Sequence, residues 1–151
     1  MKTRVELVAN LEQDEVVLQC AAITPRIQRL LDLLQESDAT LEAEVDGGVV
    51  FLSLGDVLFI ETDGDAVFAH TTTSFHRVRR RLYQLEAALP PSFVRVSKST
   101  IVHVRHIATI SHGAVSERID FRNTQKSVYV SRRYRKSLQD KMRALLGLGL
   151  S

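Results

Sequence analysis

Apolar residues recur along this chain with two different periods, and the switches between them mark its elements. Near the N-terminus Val5 and Leu7 alternate with Arg4 and Glu6, and residues 15–21 (EVVLQCA) are rich in β-branched side chains, so two strands are expected. Thr24 then offers an N-cap and Pro25 suits the first helical position. Ile27, Leu30, Leu31 and Leu34 follow at i, i+3, i+4 and i+7, the stripe of an amphipathic helix that Gln35-Glu36-Ser37-Asp38 ends. Residues 1–38 thus read as a strand-strand-helix unit, too small to bury a core alone. Its leucines, Leu30, Leu31, Leu33 and Leu34, cover a wide arc and call for two neighbours, one of which could be a second copy.

From Thr40 the period shortens to two. Residues 41–45, 49–52, 57–61, 66–70 and 75–78 read as strands, with Asp46-Gly47-Gly48 and Asp63-Gly64-Asp65 as hairpin turns that tolerate positive φ. Leu82, Leu85 and Leu89 line one face of a helix stopped by Pro90-Pro91. Strands are expected at 93–96, 101–104, 108–111, 118–121 and 128–130, with a polar connection at 97–100 and a loop around Gly113. A last helix starts at Arg132, buries Tyr134, Leu138, Met142 and Leu145, and is closed by Gly147 and Gly149. The expected fold is mainly antiparallel β with two or three helices, residues 40–151 forming one domain beside the N-terminal unit.

Composition narrows the chemistry. No apolar stretch approaches the roughly 20 residues that span a bilayer, and the first residues lack the apolar block of a secretory signal. The single cysteine, Cys20, excludes an internal disulfide, fits a reducing cytoplasm, and in its apolar strand is expected to be a buried thiol. His103 and His106 lack a companion ligand motif for zinc; His70 reads as a surface or sheet-facing residue, and His103, His106 and His112 as neutral structural residues, with a phosphate contact in the protonated form as the alternative. Tyr83 and Tyr134 fit helix packing. No Gly-rich phosphate loop, nucleophile elbow or nucleophile–base pair is present, so neither catalysis nor a cofactor nor a small-molecule ligand is expected.

Charge changes the picture more. The net charge of +2 hides a division: from Arg77 onward there are sixteen Lys and Arg against four Asp and Glu, and before it four against fourteen. Two predicted helices open with arginines, Arg79-Arg80-Arg81 before Leu82 and Arg132-Arg133-Tyr134-Arg135-Lys136 after a Ser131 cap. Cations disfavour that end of a helix dipole, so their presence at both starts points to an anionic ligand. With Arg95 and Lys98 beside Ser99 and Thr100, they suggest a surface that follows a phosphate backbone. The plain alternative is a solvated basic face. An RNA-binding module or a protein-interaction module would use the same charge, although the 6% aromatic content offers little for stacking on bases.

The run FVRVSKSTIVHVRHIATI, then a strand pair and VYVSRRYRKSL, with DVLFIETDGDAVFAHT and RLYQLEAALPP upstream in that order, resembles the LytTR DNA-binding domain of bacterial transcription regulators over roughly residues 43–146. The resemblance implies stacked antiparallel sheets with two helices, and a sequence-specific double-stranded DNA-binding regulator. Its loops would enter successive major grooves on one side of bent DNA. It also implies paired direct repeats, a homodimer in which the N-terminal unit is the candidate contact, and, as in some small regulators of this type, a membrane protein as restraining partner. The receiver domain common in the family would not fit in the first forty residues. Carried over by position, the polar contact after "FxR" falls on Lys98, and the arginine at the last helix start on Arg133 with Arg132 beside it. A third contact, in the hairpin around Asp65 and Ala66, has nothing basic in it here. The family's usual Asn after "IV" is His103. Ser99, Arg95, Lys136, Arg79 and Arg80 complete the expected DNA-facing set.

Overall fold

The protein is described here from a computed structural model, over residues 1–146. The expected closure by Gly147 and Gly149 lies outside the described residues. Helix α1 (Pro25–Ser37) begins as the sequence predicts, with Thr24 Oγ1 accepting from the Ile27 amide at 3.3 Å and proline in the first turn. The two strands expected before it are absent. Residues 1–24 contain only turns and irregular chain, with Val5 and Leu7 86% and 96% exposed, and Cys20 is exposed rather than buried. Alternation supplies an apolar face but no partner, and a two-stranded unit without a third strand or a helix beneath it is marginal in water.

The β body contains β1 (Thr40–Val45), β2 (Gly48–Ser53), β3 (Phe59–Asp63), β4 (Ala66–His70) and β5 (Phe75–Val78). After α2 (Leu82–Ala88) come β6 (Phe93–Ser97), β7 (Thr100–His103), β8 (Ile107–His112), β9 (Glu117–Phe121), β10 (Ser127–Val130) and α3 (Arg135–Leu146). Gly47 and Gly64 hold φ of +80° and +61° in the β1–β2 and β3–β4 hairpins, where a side chain would be strained. All pairings are antiparallel, in a seven-stranded sheet of order β2-β1-β5-β4-β3-β7-β6 and a three-stranded sheet of order β10-β9-β8. Strand β1 meets β5 only at Glu44↔Arg77. The β1–β2 hairpin is therefore free to close over the sheet, and Leu41 and Ala43 join α2's Leu82 and Leu85 in one core with Ile60, Ala69 and Ile101. A second core lies between the sheets, where Phe59, Val94, Val96 and Val102 meet Ile119, Phe121, Val128, Val130 and α3's Leu138. Met142 and Leu145 of α3, with Tyr134 just before the helix, are half-buried against the same core. No described helix is long and apolar enough to cross a membrane.

A column of rings ties the sheets together. Phe75, His70, Phe59 and Phe121 stack in sequence, with centroids 5.5, 4.3 and 5.3 Å apart. His70 Nε2 lies 3.1 Å from Glu61 Oε1, and its Nδ1 lies 3.3 Å from the Lys126 ammonium. Lys126 also donates to the Thr71 and Ser74 carbonyls at 2.9 and 2.8 Å, so the β9–β10 loop clamps the β4–β5 turn. A neutral imidazole protonated on Nε2 satisfies both neighbours, donating to Glu61 and accepting from Lys126.

Burial and the adjacent Lys126 charge push His70 down to about 4. Between pH 6.5 and 4 the unfolded chain therefore takes up a proton that the folded protein refuses, and stability falls as pH drops through that window. Burial and Asp63 raise the Glu61 carboxyl, which works in the opposite direction at the acid end. The His70 contribution is expected to be on the order of 1–3 kcal/mol between neutral pH and pH 4. Urea unfolding across this range should show it as a slope that His70→Gln removes; an unchanged slope in the variant would place the titration elsewhere.

Candidate nucleic-acid interface

The strand registers gather several loops at one pole of the molecule. Glu61↔Thr100 and Val67↔Val78 align the end of β3 with the start of β7, and the start of β4 with the end of β5. The β3–β4 hairpin, the Ser97–Thr100 turn and the Arg79–Arg81 segment consequently share that pole, and Glu44↔Arg77 adds the β1–β2 turn. Two backbone bonds fix the arrangement. The Thr62 amide donates to the Ser99 carbonyl at 2.9 Å, and the Ser131 amide donates to the Val96 carbonyl at 2.9 Å. The second bond sets the segment entering α3 beside the β6–β7 turn, although the two are more than thirty residues apart in sequence.

Ser131 does not cap α3 as expected. Its side chain makes no capping bond, and a 3-10 turn, Arg132–Tyr134, precedes the α-helix. Arg132 and Arg133 therefore sit on a separate turn, exposed, with Lys136 exposed on the first turn of α3. Arg135 instead points inward, its Nε 3.4 Å from the buried Glu117 carboxylate. Lys98 and Ser99 form the exposed tip of the β6–β7 turn, closed by the Ser99 amide donating to Ser97 Oγ at 3.2 Å. Among the described residues Lys98, Arg80, Arg132, Arg133 and Lys136 make no ion pair.

The remaining expected residues are engaged within the protein. Arg95 donates from Nε to the Ser97 carbonyl at 2.7 Å and from Nη2 to the Lys98 carbonyl, while Nη1 meets Glu86 at 2.7 Å. Its guanidinium shapes the turn that presents Lys98, a use of five fixed donors that lysine could not match. Arg79 is paired with Glu44, and Arg77 lies 4.0 Å from the same carboxylate. An open groove of about 730 Å³ runs between these arginines and the β3–β4 hairpin, bordered by Arg80, Arg81, Asp65 and Tyr83. The hairpin itself carries Asp63 and Asp65 and no base, as the sequence indicates.

Arg77 and Lys126 escaped the sequence reading. Arg77 was legible in principle, being an outward position of β5 two residues before Arg79; Lys126 belongs to a loop whose partners are about fifty residues away in sequence. His103 is buried and bonded to Glu36, consistent with a structural role, and His106 reaches the Gly55 carbonyl at 2.5 Å with its pKa lowered, mainly by burial. No group of three or more His, Cys, Asp or Glu suited to a metal exists among the described residues.

Comparison with known proteins agrees with this architecture. Two Staphylococcus aureus proteins, from strains NCTC 8325 and MRSA252, both named uncharacterized HTH-type transcriptional regulators, are 26% and 25% identical over 147 residues, covering 94% of this chain and 98% of each relative. The solved LytTr DNA-binding domain of a Bacillus cereus protein described as a methyl-accepting/DNA response regulator superposes with a TM-score of 0.65 at 20% identity, over 70% of this chain and 97% of that one. The family described as the LytTr DNA-binding domain matches residues 47–143, which include every strand from β3 to β10, both basic turns and most of α3, and the chain belongs to that family.

Proposed function

We propose that this protein is a sequence-specific, double-stranded DNA-binding transcription regulator that reads the major groove from the basic pole. The observation that carries the reading is the Ser131–Val96 backbone bond, which brings the Arg132–Arg133 turn beside the Lys98 turn, with their cations in no ion pair among the described residues. Unpaired surface cations at a fixed spacing suit phosphates and guanine edges, and a guanidinium on a short turn can reach guanine O6 and N7 in bidentate fashion. Lys98, Ser99, Arg80, Arg132 and Lys136 are assigned to phosphates and Arg133 to a base. Arg95 acts through the Lys98 turn, and Arg79 through Glu44 and the groove border. Two copies on paired repeats follow from the same reading, with the exposed N-terminal segment (Val5, Leu7, Val16, Val17) as the candidate contact between them.

Binding to a duplex from the gene's own upstream region, against a scrambled duplex, tests these roles. Arg133→Ala is expected to weaken the specific complex by about 1–3 kcal/mol and the scrambled one only slightly. Arg132→Ala and Lys136→Ala should weaken both alike and reduce the salt dependence by about one counterion each. Equal losses for Arg133→Ala on both duplexes would demote it to a phosphate clamp.

Lys98→Ala is expected to lower DNA affinity while changing unfolding free energy by less than about 0.5 kcal/mol, since its side chain lies at an exposed turn tip. A destabilised variant with intact binding would remove Lys98 from the interface. Deleting residues 1–24, which leaves α1 and the β body in place, should preserve binding to one site and abolish cooperative binding to two. Unchanged cooperativity would assign the contact between copies to another surface.

A further inference from the structure

Helix α1 is held to the β body in an unusual way. Its apolar stripe, Ile27, Leu30 and Leu31, is only half-buried, and the one buried side chain among its described residues is a carboxylate, Glu36. Glu36 Oε1 lies 2.6 Å from His103 Nε2, and Ser92 Oγ donates to Oε2 at 2.7 Å. Burial works to raise the Glu36 pKa, but the bonds from His103 and Ser92 and the charges of His103 and Arg105 prevail, and it is held below the ordinary carboxylate value. His103 is 2% exposed, edge-on to Phe93 with centroids 4.5 Å apart, and its Nδ1 is buried without a partner. Beyond this contact, α1 is tied by the Leu54 amide donating to the Ala39 carbonyl at 3.0 Å and by the exposed Arg29 guanidinium donating to the Ala144 carbonyl of α3 at 2.8 Å.

A helix of thirteen residues has little stability of its own and depends on what it packs against. Where that packing is mostly half-exposed leucine, a single buried hydrogen-bonded contact decides whether the helix is seated, because removing either partner leaves a polar group away from water without its bond. We propose that α1 is a strap that detaches from the β body as a unit, with the Glu36–His103–Ser92 contact as its latch. Release bares a seat made of Ser92, His103 and the 3-10 turn Leu54–Asp56. That seat lies at the end of β7 opposite Thr100, the pole away from Lys98 and Arg133. The strap therefore opens without disturbing the basic face, and the device does not depend on what that face binds.

Amide hydrogen exchange on the full-length protein tests the latch. Glu36→Ala should speed exchange in residues 26–39 and 54–57 by about tenfold or more while β3, β7 and β9 keep their wild-type rates, the signature of a local opening. Ser92→Ala, which keeps the Glu36–His103 bond, should speed the same residues by a smaller factor. Leu30→Ala is the control, because it trims apolar contact and leaves the latch intact. Three results would overturn the proposal. These are α1 loosened as much by Leu30→Ala as by Glu36→Ala, exchange in Glu36→Ala rising throughout the chain, or α1 rates unchanged in Glu36→Ala.

Discussion

All four residues of β7, Thr100 to His103, are buried, so this short strand has protein on both faces. Ile101 faces the core beneath α2, and Val102 faces the core between the sheets. Its neighbours divide in the same way, β3 through Ile60 and Phe59 and β6 through Phe93 and Val94. Three adjacent strands therefore belong to two close-packed cores at once, and neither core can relax without straining the other. The ends of β7 inherit that rigidity. One end carries the Lys98 turn and the other carries His103, about 10 Å apart at the usual rise of an extended chain. A strand too short to bend thus sets the distance between the basic pole and the seat of α1.

The cations divide by what surrounds them. Arg95, Arg122, Arg135 and Lys126 each reach a carboxylate or a backbone carbonyl inside the protein, and each closes a loop that apolar packing alone would leave loose. Arg80, Lys98, Arg132, Arg133 and Lys136 are exposed without an ion pair among the described residues. The first set is tied into the fold by contacts to carbonyls or carboxylates of neighbouring segments. The second set gains nothing for folding, and its clustering at one pole is costly by self-repulsion. On stability grounds alone such a cluster has no reason to exist; an anionic ligand supplies one.

Much of the body was legible in the sequence because its signals are local. Alternation located 66–70 and 75–78 to the residue, Gly47 and Gly64 marked hairpins that only positive φ can close, and the Leu138 stripe oriented α3. What failed was information about partners. Residues 1–21 have the alternation of two strands, yet pairing is a property of both segments together, and neither pairs with the other or with the β body. Ser131 has the composition of a cap, but its amide is taken by Val96 across the sheet, and the chain turns once in 3-10 form before the helix begins. His103 stands where the family usually has Asn, and its buried partner Glu36 lies sixty-seven residues away, outside the matched family region, where no local pattern could point.

Acidic groups refine the basic pole as much as the arginines do. In sheet order, Glu44 of β1 precedes Arg77 and Arg79, then the Asp63–Asp65 hairpin intervenes, then Lys98 and the Arg132–Arg133 turn follow. A phosphate near the hairpin would meet two carboxylates within the roughly 8 Å over which charge acts at physiological salt. The pole therefore cannot behave as a continuous basic stripe. It offers two cationic contacts separated by an acidic ridge, which penalises a duplex lying flat across it and favours one whose phosphates meet the two contacts while a groove spans the ridge. On the proposed reading, discrimination among docking geometries comes from the carboxylates, and the hairpin that lacks a base for reading DNA contributes by repulsion.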